Sequence, residues 1–136
     1  MRHIDASETC PCGTRLAYGR CCGPIHENGA GLGTTATQLM RARYSAYALE
    51  RGDFIVDSWH ADTRPPTVVF STDISWHELI VVESSGGGAL DSAGTVEFRA
   101  RFERGGERLE LHELSRFERV GGQWQYVDGV DPDTVQ

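Results

Sequence analysis

The sequence predicts an α+β fold in which a small N-terminal zinc knuckle precedes a cone of helices wrapped by a curved antiparallel sheet. Three observations predict it. Four cysteines fall within thirteen residues near the N-terminus, and the chain has no other cysteine. A segment with helical periodicity follows them. Beyond Pro66 the apolar residues instead alternate with polar ones between glycine-rich turns, which is the pattern of antiparallel strands. Helices followed by a run of strands indicate an α+β arrangement.

The cysteines form two close pairs separated by an eight-residue spacer: Cys10, Cys12, Cys21 and Cys22. A glycine follows each pair, Gly13 and Gly23, and permits the positive φ angles that tight metal-binding turns need. Four thiolates fill a tetrahedron and leave no open position, so we predict one structural zinc ion. An iron–sulfur cluster, disulfides or free thiols are the alternatives, and His3 or His26 could replace a cysteine as ligand.

Two units are predicted, a zinc-binding module at 1–30 and an α+β domain at 31–136, with the glycine-rich segment 24–33 as a linker or ordered loop. The first residues lack the apolar stretch of a signal peptide, and no run of about 20 apolar residues could cross a membrane. We therefore expect a cytoplasmic protein. In that reducing compartment, clustered thiols are more often metal ligands than disulfides.

The first helix of the second unit is predicted to begin with a capping box, with Thr35 as the N-cap and Gln38 three residues on. We expect it to run to about Arg51 and to stop at Gly52, because glycine is favoured just after a helix. A second short helix is predicted to begin with Asp53 as its N-cap and to end near the following Trp-His pair.

Four long strands are predicted, separated by glycine-rich turns, at about 76–84, 94–104, 107–120 and 123–128. A short additional strand could form at 67–70. From Val96 to Phe102 apolar and charged side chains alternate, so one face of the sheet is buried and the other is solvated. Glu113 shares the inward face of the third strand with Leu109, Leu111, Ser115 and Phe117. Wrapping this sheet around the first helix would leave a conical cavity at one end.

Arg43 lies in the middle of the apolar face of the first helix, between Leu39 and Met40. A buried arginine is costly unless a carboxylate meets it. Glu113 is the best candidate partner, with Asp128 and Glu97 as others. Such a pair either fixes the register of helix and sheet or lines the cavity wall, ready for an anionic or polar ligand.

A second group of polar residues follows the short helix, where the cavity mouth is expected. His60 could act as a general acid or base there, with Arg64 holding an anion and Glu113 as a further catalytic candidate. Alternatively, His60 only caps a helix C-terminus. His77 and His112 lie on strands and are weaker candidates.

The cysteine module resembles the SEC-C motif, a small zinc-binding segment at the C-terminal tail of the preprotein translocase ATPase. Its matching positions are Cys10, Pro11, Cys12, Gly13, Tyr18, Cys21 and Cys22. Beyond it, further blocks resemble the YchJ-like family of bacterial proteins: 39–47, 59–65, 96–98, 112–117 and 124–129. The resemblance implies a SEC-C zinc knuckle followed by a nuclear-transport-factor-2-like (cystatin-like) cone. It implies no particular activity. Ala61 stands where the family pattern tends to carry proline.

The formal net charge of −7 would become −9 with four thiolates and one zinc ion, which disfavours nucleic acid as a partner. All 13 basic residues are arginine, so no Schiff-base lysine is available. We expect a zinc-binding module that acts in protein interaction through its knuckle or in binding a small polar ligand in its cone. The alternative is a small enzyme that uses acid/base chemistry in the cone cavity.

Overall fold

The computed structural model describes residues 2–31 and 33–132. Its helices are α1 (Cys22–Asn28), α2 (Ala36–Ala48) and α3 (Gly52–Asp57), preceded by a 3-10 turn at Tyr18–Arg20. Its strands are β1 (Ile74–Gly86), β2 (Ala93–Arg104), β3 (Glu107–Val120) and β4 (Gln123–Val130). They form one antiparallel sheet in the order β1-β2-β3-β4. The predicted α+β fold is confirmed. Within the described ranges, no helix is both long and apolar enough to cross a membrane.

The strands follow the predicted bounds closely, and β3 agrees at both ends. The two glycines that join β2 to β3, Gly105 and Gly106, both have positive φ angles, of 57° and 87°. Two such residues form the tight turn whose twist matches that of an antiparallel hairpin. The segment 67–70 does not form the short strand suggested by its composition, and it passes over the helices as an extended loop.

Helix α2 begins with the predicted capping box. The Thr35 hydroxyl accepts a hydrogen bond from the Gln38 backbone N–H at 3.1 Å, and the Gln38 side chain accepts one from the Thr35 N–H at 2.8 Å. The predicted C-terminus is wrong. The helix ends at Ala48, and Glu50, with a φ of 57°, takes the left-handed position expected of Gly52. The Arg51 N–H then reaches back to the Ala46 carbonyl, which closes the helix in the manner of a Schellman motif.

The segment predicted as a linker at 24–33 is in large part helical, because α1 runs from Cys22 to Asn28. This helix packs against α2, and the knuckle cysteines belong to the same buried cluster as the core of the cone. Proline near the first turn of α1 is compatible with a helix, since its missing N–H has no intrahelical partner there. The knuckle and the cone therefore share one hydrophobic core.

The inner face of the sheet is buried where the helices cover it. Val96, Phe98 and Ala100 of β2 are almost fully buried, in the alternation predicted from the sequence. Toward the β2–β3 turn the cover ends, so Leu109 and Leu111 stay 39% and 40% exposed. The cone is thus closed by a packed core at one end and lined by exposed apolar residues at the other.

Candidate metal centre and cone cavity

The two cysteine pairs converge on one point at the surface of α2. All four sulfur atoms lie within 4.8 Å of one another, and three of the four residues are buried. The Sγ of Cys21 is 3.4 Å from that of Cys12 and 4.0 Å from that of Cys22. Four sulfurs bound to a tetrahedral zinc at about 2.3 Å would stand about 3.8 Å apart. None of the four forms a disulfide. The cluster can therefore hold a single metal ion.

Three of the four thiols have pKa values shifted by their close packing. Hydrogen bonds from Cys10 and Cys22 lower the pKa of the Cys12 thiol, and burial raises the pKa of Cys21 to about 11. The neighbouring thiols of Cys10 and Cys12 raise the pKa of Cys22. The close packing of the thiols thus favours ionisation of Cys12 and opposes ionisation of Cys21 and Cys22. A divalent ion removes this conflict by compensating several thiolates at once.

Hydroxyl groups surround the sulfurs in an outer layer. Ser45 of α2 donates a hydrogen bond to the Cys22 sulfur at 3.3 Å and lies 3.5 Å from the Cys10 sulfur. The Thr14 hydroxyl lies 3.1 Å from the Cys21 sulfur. Arg41, one helical turn before Ser45, donates to the Cys12 carbonyl at 2.9 Å. Helix α2 therefore orients the knuckle directly.

The two histidines considered as alternative ligands point elsewhere. His26 is buried, and its ring nitrogens lie 2.5 Å from the Tyr18 hydroxyl and 2.7 Å from the Ala42 carbonyl. Burial also lowers the pKa of its imidazole. His3 is exposed at the surface and hydrogen-bonds to Asp5. Neither histidine belongs to the described metal-ligating cluster, which consists of the four cysteines.

A cavity of about 220 Å³ lies on the opposite side of α2, between this helix and the inner face of the sheet. Its wall contains two charged residues, Arg43 and Glu113, among mostly aromatic and aliphatic ones. One helical stripe supplies a third of the wall: Met40, Arg43, Tyr44 and Tyr47. The predicted cavity of the cone is thus present, and it is lined chiefly by apolar groups.

Arg43 is the buried cation in the wall, with 4% of its surface exposed. Its guanidinium donates hydrogen bonds to the Ile55 carbonyl at 2.9 Å and to the Ser58 hydroxyl at 2.7 Å. It lies 4.4 Å from the ring centre of Tyr126 and 5.0 Å from that of Trp59, within range of cation–π attraction. Burial lowers the pKa of Arg43 to about 10, so the side chain is still a cation at neutral pH.

The indole N–H of Trp59 is buried and has no hydrogen-bond partner. Its ring packs edge-on against Tyr126 at 5.1 Å and forms part of the cavity wall. An unsatisfied buried donor typically costs about 1–3 kcal/mol. This donor is enclosed by protein and has no acceptor among the residues that the structure describes.

Glu113 provides the acceptor side of the cavity. Its carboxylate accepts hydrogen bonds from the Ser115 hydroxyl at 2.5 Å and from the Tyr126 hydroxyl at 3.3 Å. The carboxylate lies over Gly129 of β4, where any added side chain would overlap it. Burial, and then the charge of Glu113, raise the pKa of Tyr126, so its hydroxyl remains a donor at neutral pH.

Comparison with known proteins identifies the relatives of this chain. Residues 35–129 match the family described as "YchJ, middle NTF2-like domain", and residues 7–24 match the SEC-C motif. The chain belongs to the YchJ-like family. A UPF0225 protein of Streptomyces avermitilis is 46% identical over 121 residues, which cover 89% of this chain and 83% of that protein. A UPF0225 protein of Corynebacterium glutamicum is 40% identical over 120 residues, covering 88% and 94%.

Two solved structures resemble the YchJ-like chain over most of its length. The solution structure of a SEC-C motif containing protein from Rhodopseudomonas palustris has a TM-score of 0.77 at 35% identity, covering 91% of this chain and 98% of that one. The crystal structure of a SEC-C motif containing protein from Psychrobacter arcticus has a TM-score of 0.66 at 28% identity, covering 96% and 84%. The family resemblance drawn from sequence blocks is confirmed.

The direct ion pair predicted between Arg43 and Glu113 is not formed in the described YchJ-like chain, although both residues line the cavity. Two other acidic candidates are also engaged elsewhere. Asp128 forms a two-bond pair with Arg116 at 2.6 Å, and Glu97 lies 2.7 Å from the His112 ring, both on the outer face of the sheet. The sequence could not reveal that the Arg43 guanidinium would contact two aromatic rings and a carbonyl at the end of α3 instead of a carboxylate.

The three residues suggested for acid/base chemistry do not come together. His60 lies outside the cavity wall, with its ring nitrogens 3.7 Å from Asp62 and 3.4 Å from Glu118. Arg64 donates a hydrogen bond to the Trp59 carbonyl at 2.9 Å and also lies outside the wall. Only Glu113 faces the cavity. His77 lies near Glu103 on the sheet, away from the cone.

Several wall residues of the YchJ-like chain escaped the sequence reasoning, above all Tyr44, Trp59 and Tyr126. Tyr44 belongs to a stripe with the i, i+3, i+4, i+7 spacing of one helix face, which could have indicated its place in the wall. The stripe consists of Met40, Arg43, Tyr44 and Tyr47. No comparable signal exists for Trp59 and Tyr126. They meet because the chain after α3 pairs with β4 through a single parallel bridge between these two residues.

Proposed function

We propose that this protein is a small-molecule binding protein whose cone is held in shape by a structural zinc ion. The zinc is bound by the four cysteines of the knuckle, and the ligand occupies the cavity on the other side of α2. The observation that carries the proposal is a buried wall with a cation, Arg43, that lacks a direct carboxylate partner. The protein meets this cation only with the Ile55 carbonyl, the Ser58 hydroxyl and two aromatic rings.

Zinc is supported by the donor set and by the spacing of the sulfurs. Thiolates select zinc, copper(I) or iron–sulfur clusters among biological metals. Sulfur separations of 3.4 Å and 4.0 Å bracket the value of about 3.8 Å for a tetrahedral zinc thiolate site. With all four positions taken, the ion is structural, and docking of a partner protein on the knuckle stays a prediction.

Binding rather than catalysis is supported by the makeup of the cavity wall. A general acid/base enzyme needs titratable groups placed around the reacting atom. Here His60 and Arg64 lie outside the wall, which leaves Glu113 as its one carboxylate. Small-ligand sites are typically apolar cavities with a few fixed polar groups, and the cone has this composition.

Native mass spectrometry of protein purified without chelators tests both parts. We expect one zinc ion per chain, lost in Cys12→Ser and retained in the matched control His3→Gln. We also expect a co-purified or added small molecule whose binding is abolished by Ala100→Leu, which fills the cavity. Arg101→Leu, on the opposite face of the same strand, should leave binding intact. The cone site would be contradicted if the small molecule still bound to Ala100→Leu, or if the parent protein bound no small molecule.

A further inference from the structure

The wall of the cone cavity contains one residue of each charge, Arg43 and Glu113, and in the described chain the two form no ion pair. We infer that the cavity binds a small zwitterion, such as an α-amino acid with an apolar side chain. Its carboxylate would contact Arg43, and its ammonium group would contact Glu113. This inference rests on the proposed ligand-binding function and adds the chemical class of the ligand.

The protein uses only part of the hydrogen-bonding capacity of the Arg43 guanidinium. An arginine side chain has N–H donors on Nε, Nη1 and Nη2. Nη1 donates to the Ile55 carbonyl at 2.9 Å and to the Ser58 hydroxyl at 2.7 Å. Nε and Nη2 form no hydrogen bond with any residue that the structure describes. The edge of the guanidinium between these two nitrogens is therefore unused.

This unused edge is open to the cavity. In the described part of the chain, the side-chain polar atoms that are both enclosed and without a hydrogen bond are Arg51 Nε and Trp59 Nε1. Because Nε and Nη2 of Arg43 are unbonded but are not among these atoms, they retain accessible surface. Arg43 lines the cavity and is otherwise buried, so we place this accessible surface in the cavity. A ligand in the cone can therefore reach the donors.

The geometry of this edge favours a carboxylate. The N–H groups on Nε and Nη2 of a guanidinium form a rigid fork that matches the two oxygens of a carboxylate. Here the fork is held in place through Nη1, so a ligand does not have to order it. A neutral acceptor would use the same donors but would leave the buried charge without a counter-charge. A carboxylate supplies both the hydrogen bonds and the charge.

Glu113 makes the cavity unsuitable for a simple anion. A ligand that carries only a carboxylate would be attracted by Arg43 but repelled by Glu113. An ammonium group on the same ligand converts this repulsion into attraction. The Glu113 carboxylate accepts hydrogen bonds from the Ser115 and Tyr126 hydroxyls, and its oxygens offer about four lone-pair sites, so it can accept further donors. A zwitterion therefore matches both charges of the wall.

Tyr47 indicates that the two charges act on the same region of the cavity. Burial raises the pKa of this tyrosine, and the charges of Arg43 and Glu113 also shift its pKa, in opposite directions. Both charges are therefore close to one wall residue, although they do not contact each other. A ligand bound beside Tyr47 can contact both of them. The rest of the wall is chiefly aromatic and aliphatic, which favours an apolar side chain on the ligand.

Three matched probes test the ligand class: leucine, 4-methylpentanoate and 3-methylbutylamine. The second probe lacks the ammonium group of leucine, and the third lacks its carboxylate. We expect leucine to bind protein purified without chelators at least about tenfold more tightly than either analogue, because each analogue leaves one wall charge without a partner. Calorimetry measures the three affinities. Equal or tighter binding of either analogue, or no binding of leucine, overturns the inference.

Labelling the arginine side chains with ¹⁵N tests where leucine binds. The Arg43 Nε–H signal, assigned by its loss in Arg43→Met, should move downfield when leucine is added, because this donor then gains an acceptor. The Arg116 signal should stay, since its Nε already donates to Asp128 at 2.6 Å on the outer face of the sheet. An unmoved Arg43 signal in a leucine-saturated sample would contradict the proposed contact.

Removing a wall charge should change the order of the three affinities. Glu113→Gln keeps the size of the side chain and an acceptor oxygen but loses the charge, so 4-methylpentanoate should bind at least as tightly as leucine. Glu110→Gln removes the same charge from the outer face of β3, where Glu110 pairs with Arg99 and Arg101, and should keep the parent order. The parent order in Glu113→Gln contradicts the role of this carboxylate. Melting curves check that each variant is folded.

Failure of this inference can be told apart from failure of the proposed function. If leucine does not bind but the native protein carries another small molecule that Ala100→Leu excludes, the cone is a ligand site and the assigned class is wrong. If leucine does not bind and native spectra show no bound small molecule, the ligand-binding function itself is rejected.

Discussion

Arg43 is a cation within the core whose charge is met by two aromatic rings, a carbonyl and a hydroxyl. Each of these contacts is weaker than a carboxylate pair, so the guanidinium recovers only part of its hydration energy. Burial accordingly lowers its pKa to about 10. The ligand that we propose for the cone would give this charge a partner that the protein itself does not supply.

The buried charge of Arg43 predicts different losses of stability for two substitutions at this position. Arg43→Met keeps the packing volume and removes the buried charge, so the free energy of unfolding should stay within about 1.5 kcal/mol of the parent. Arg43→Ala also removes the charge but leaves a void, and should cost about 3 kcal/mol. Urea unfolding measures both. Equal losses in the two variants would show that the charge itself supports the fold.

For single residues, the sequence predicted which polar side chains would lie inside the fold, but it did not predict which groups they would contact. The position of Arg43 on an apolar helix face foretold its burial, and its neighbour Glu113 was correctly placed on the inward face. Their separation depends on how far α2 lies from the sheet, and the aromatic side chains between them set that distance. The spacing of residues along the chain carries no information about it.

Among the elements, α2 carries both candidate sites. Ser45 faces the cysteine sulfurs, and Arg43 and Tyr44, its neighbours along the helix, face the cavity. The capping box at the start of this helix was predictable because its two residues are local. The left-handed Glu50 at its end was not, since nothing in its side chain favours that conformation. Helix α1 was missed because its glycine and proline content suggested a loop.

The contact between Ser45 and the sulfurs predicts a loss of metal affinity in Ser45→Val. Valine has nearly the shape of serine with an added methyl group but cannot donate a hydrogen bond to Cys22. Outer-layer contacts of this kind are typically worth about 10–100-fold in metal affinity. Competition with a chromophoric chelator should show a loss of at least about tenfold. Thr37→Val, on the same helix but without a sulfur contact, should match the parent.

For the molecule as a whole, the shared core predicts that the metal stabilises the entire chain. Chelation at neutral pH should lower the melting temperature by on the order of 10 °C in one cooperative transition, because knuckle and cone unfold together. Calorimetry with and without added zinc measures the shift, with Cys12→Ser as a metal-free reference. An unchanged cone transition after chelation would mean that the knuckle is an independent unit.

Ionisation of the buried tyrosines shows whether the chain stays folded at alkaline pH. Burial raises the pKa of all four tyrosines, Tyr18, Tyr44, Tyr47 and Tyr126. The pKa of Tyr44 is raised to about 12. Because these pKa values exceed the value near 10 in unfolded chains, their stabilising effect is complete below pH 10 and falls as pH rises beyond it. Tyrosinate absorbance should therefore appear together with unfolding, above about pH 11. Full tyrosinate formation near pH 10 in folded protein would contradict this.

The overall architecture was the most predictable level, since strand alternation and glycine turns repeat over many residues and their signals add. The contents of the cavity were the least predictable. They depend on residues from α2, from the chain after α3 and from all four strands, brought together only in the folded molecule.

Helix α2 has consequences for how this protein can change over generations. Most helices at the edge of a domain keep one side free for sequence drift, but here only Gln38 of the thirteen residues is exposed. A substitution in α2 that is compatible with the cysteine cluster will often disturb the cavity wall, and the reverse also holds. In a random library, the segment 36–48 should therefore tolerate fewer replacements than the open hairpin turns. We therefore expect α2 to diverge more slowly among relatives than the surface around it.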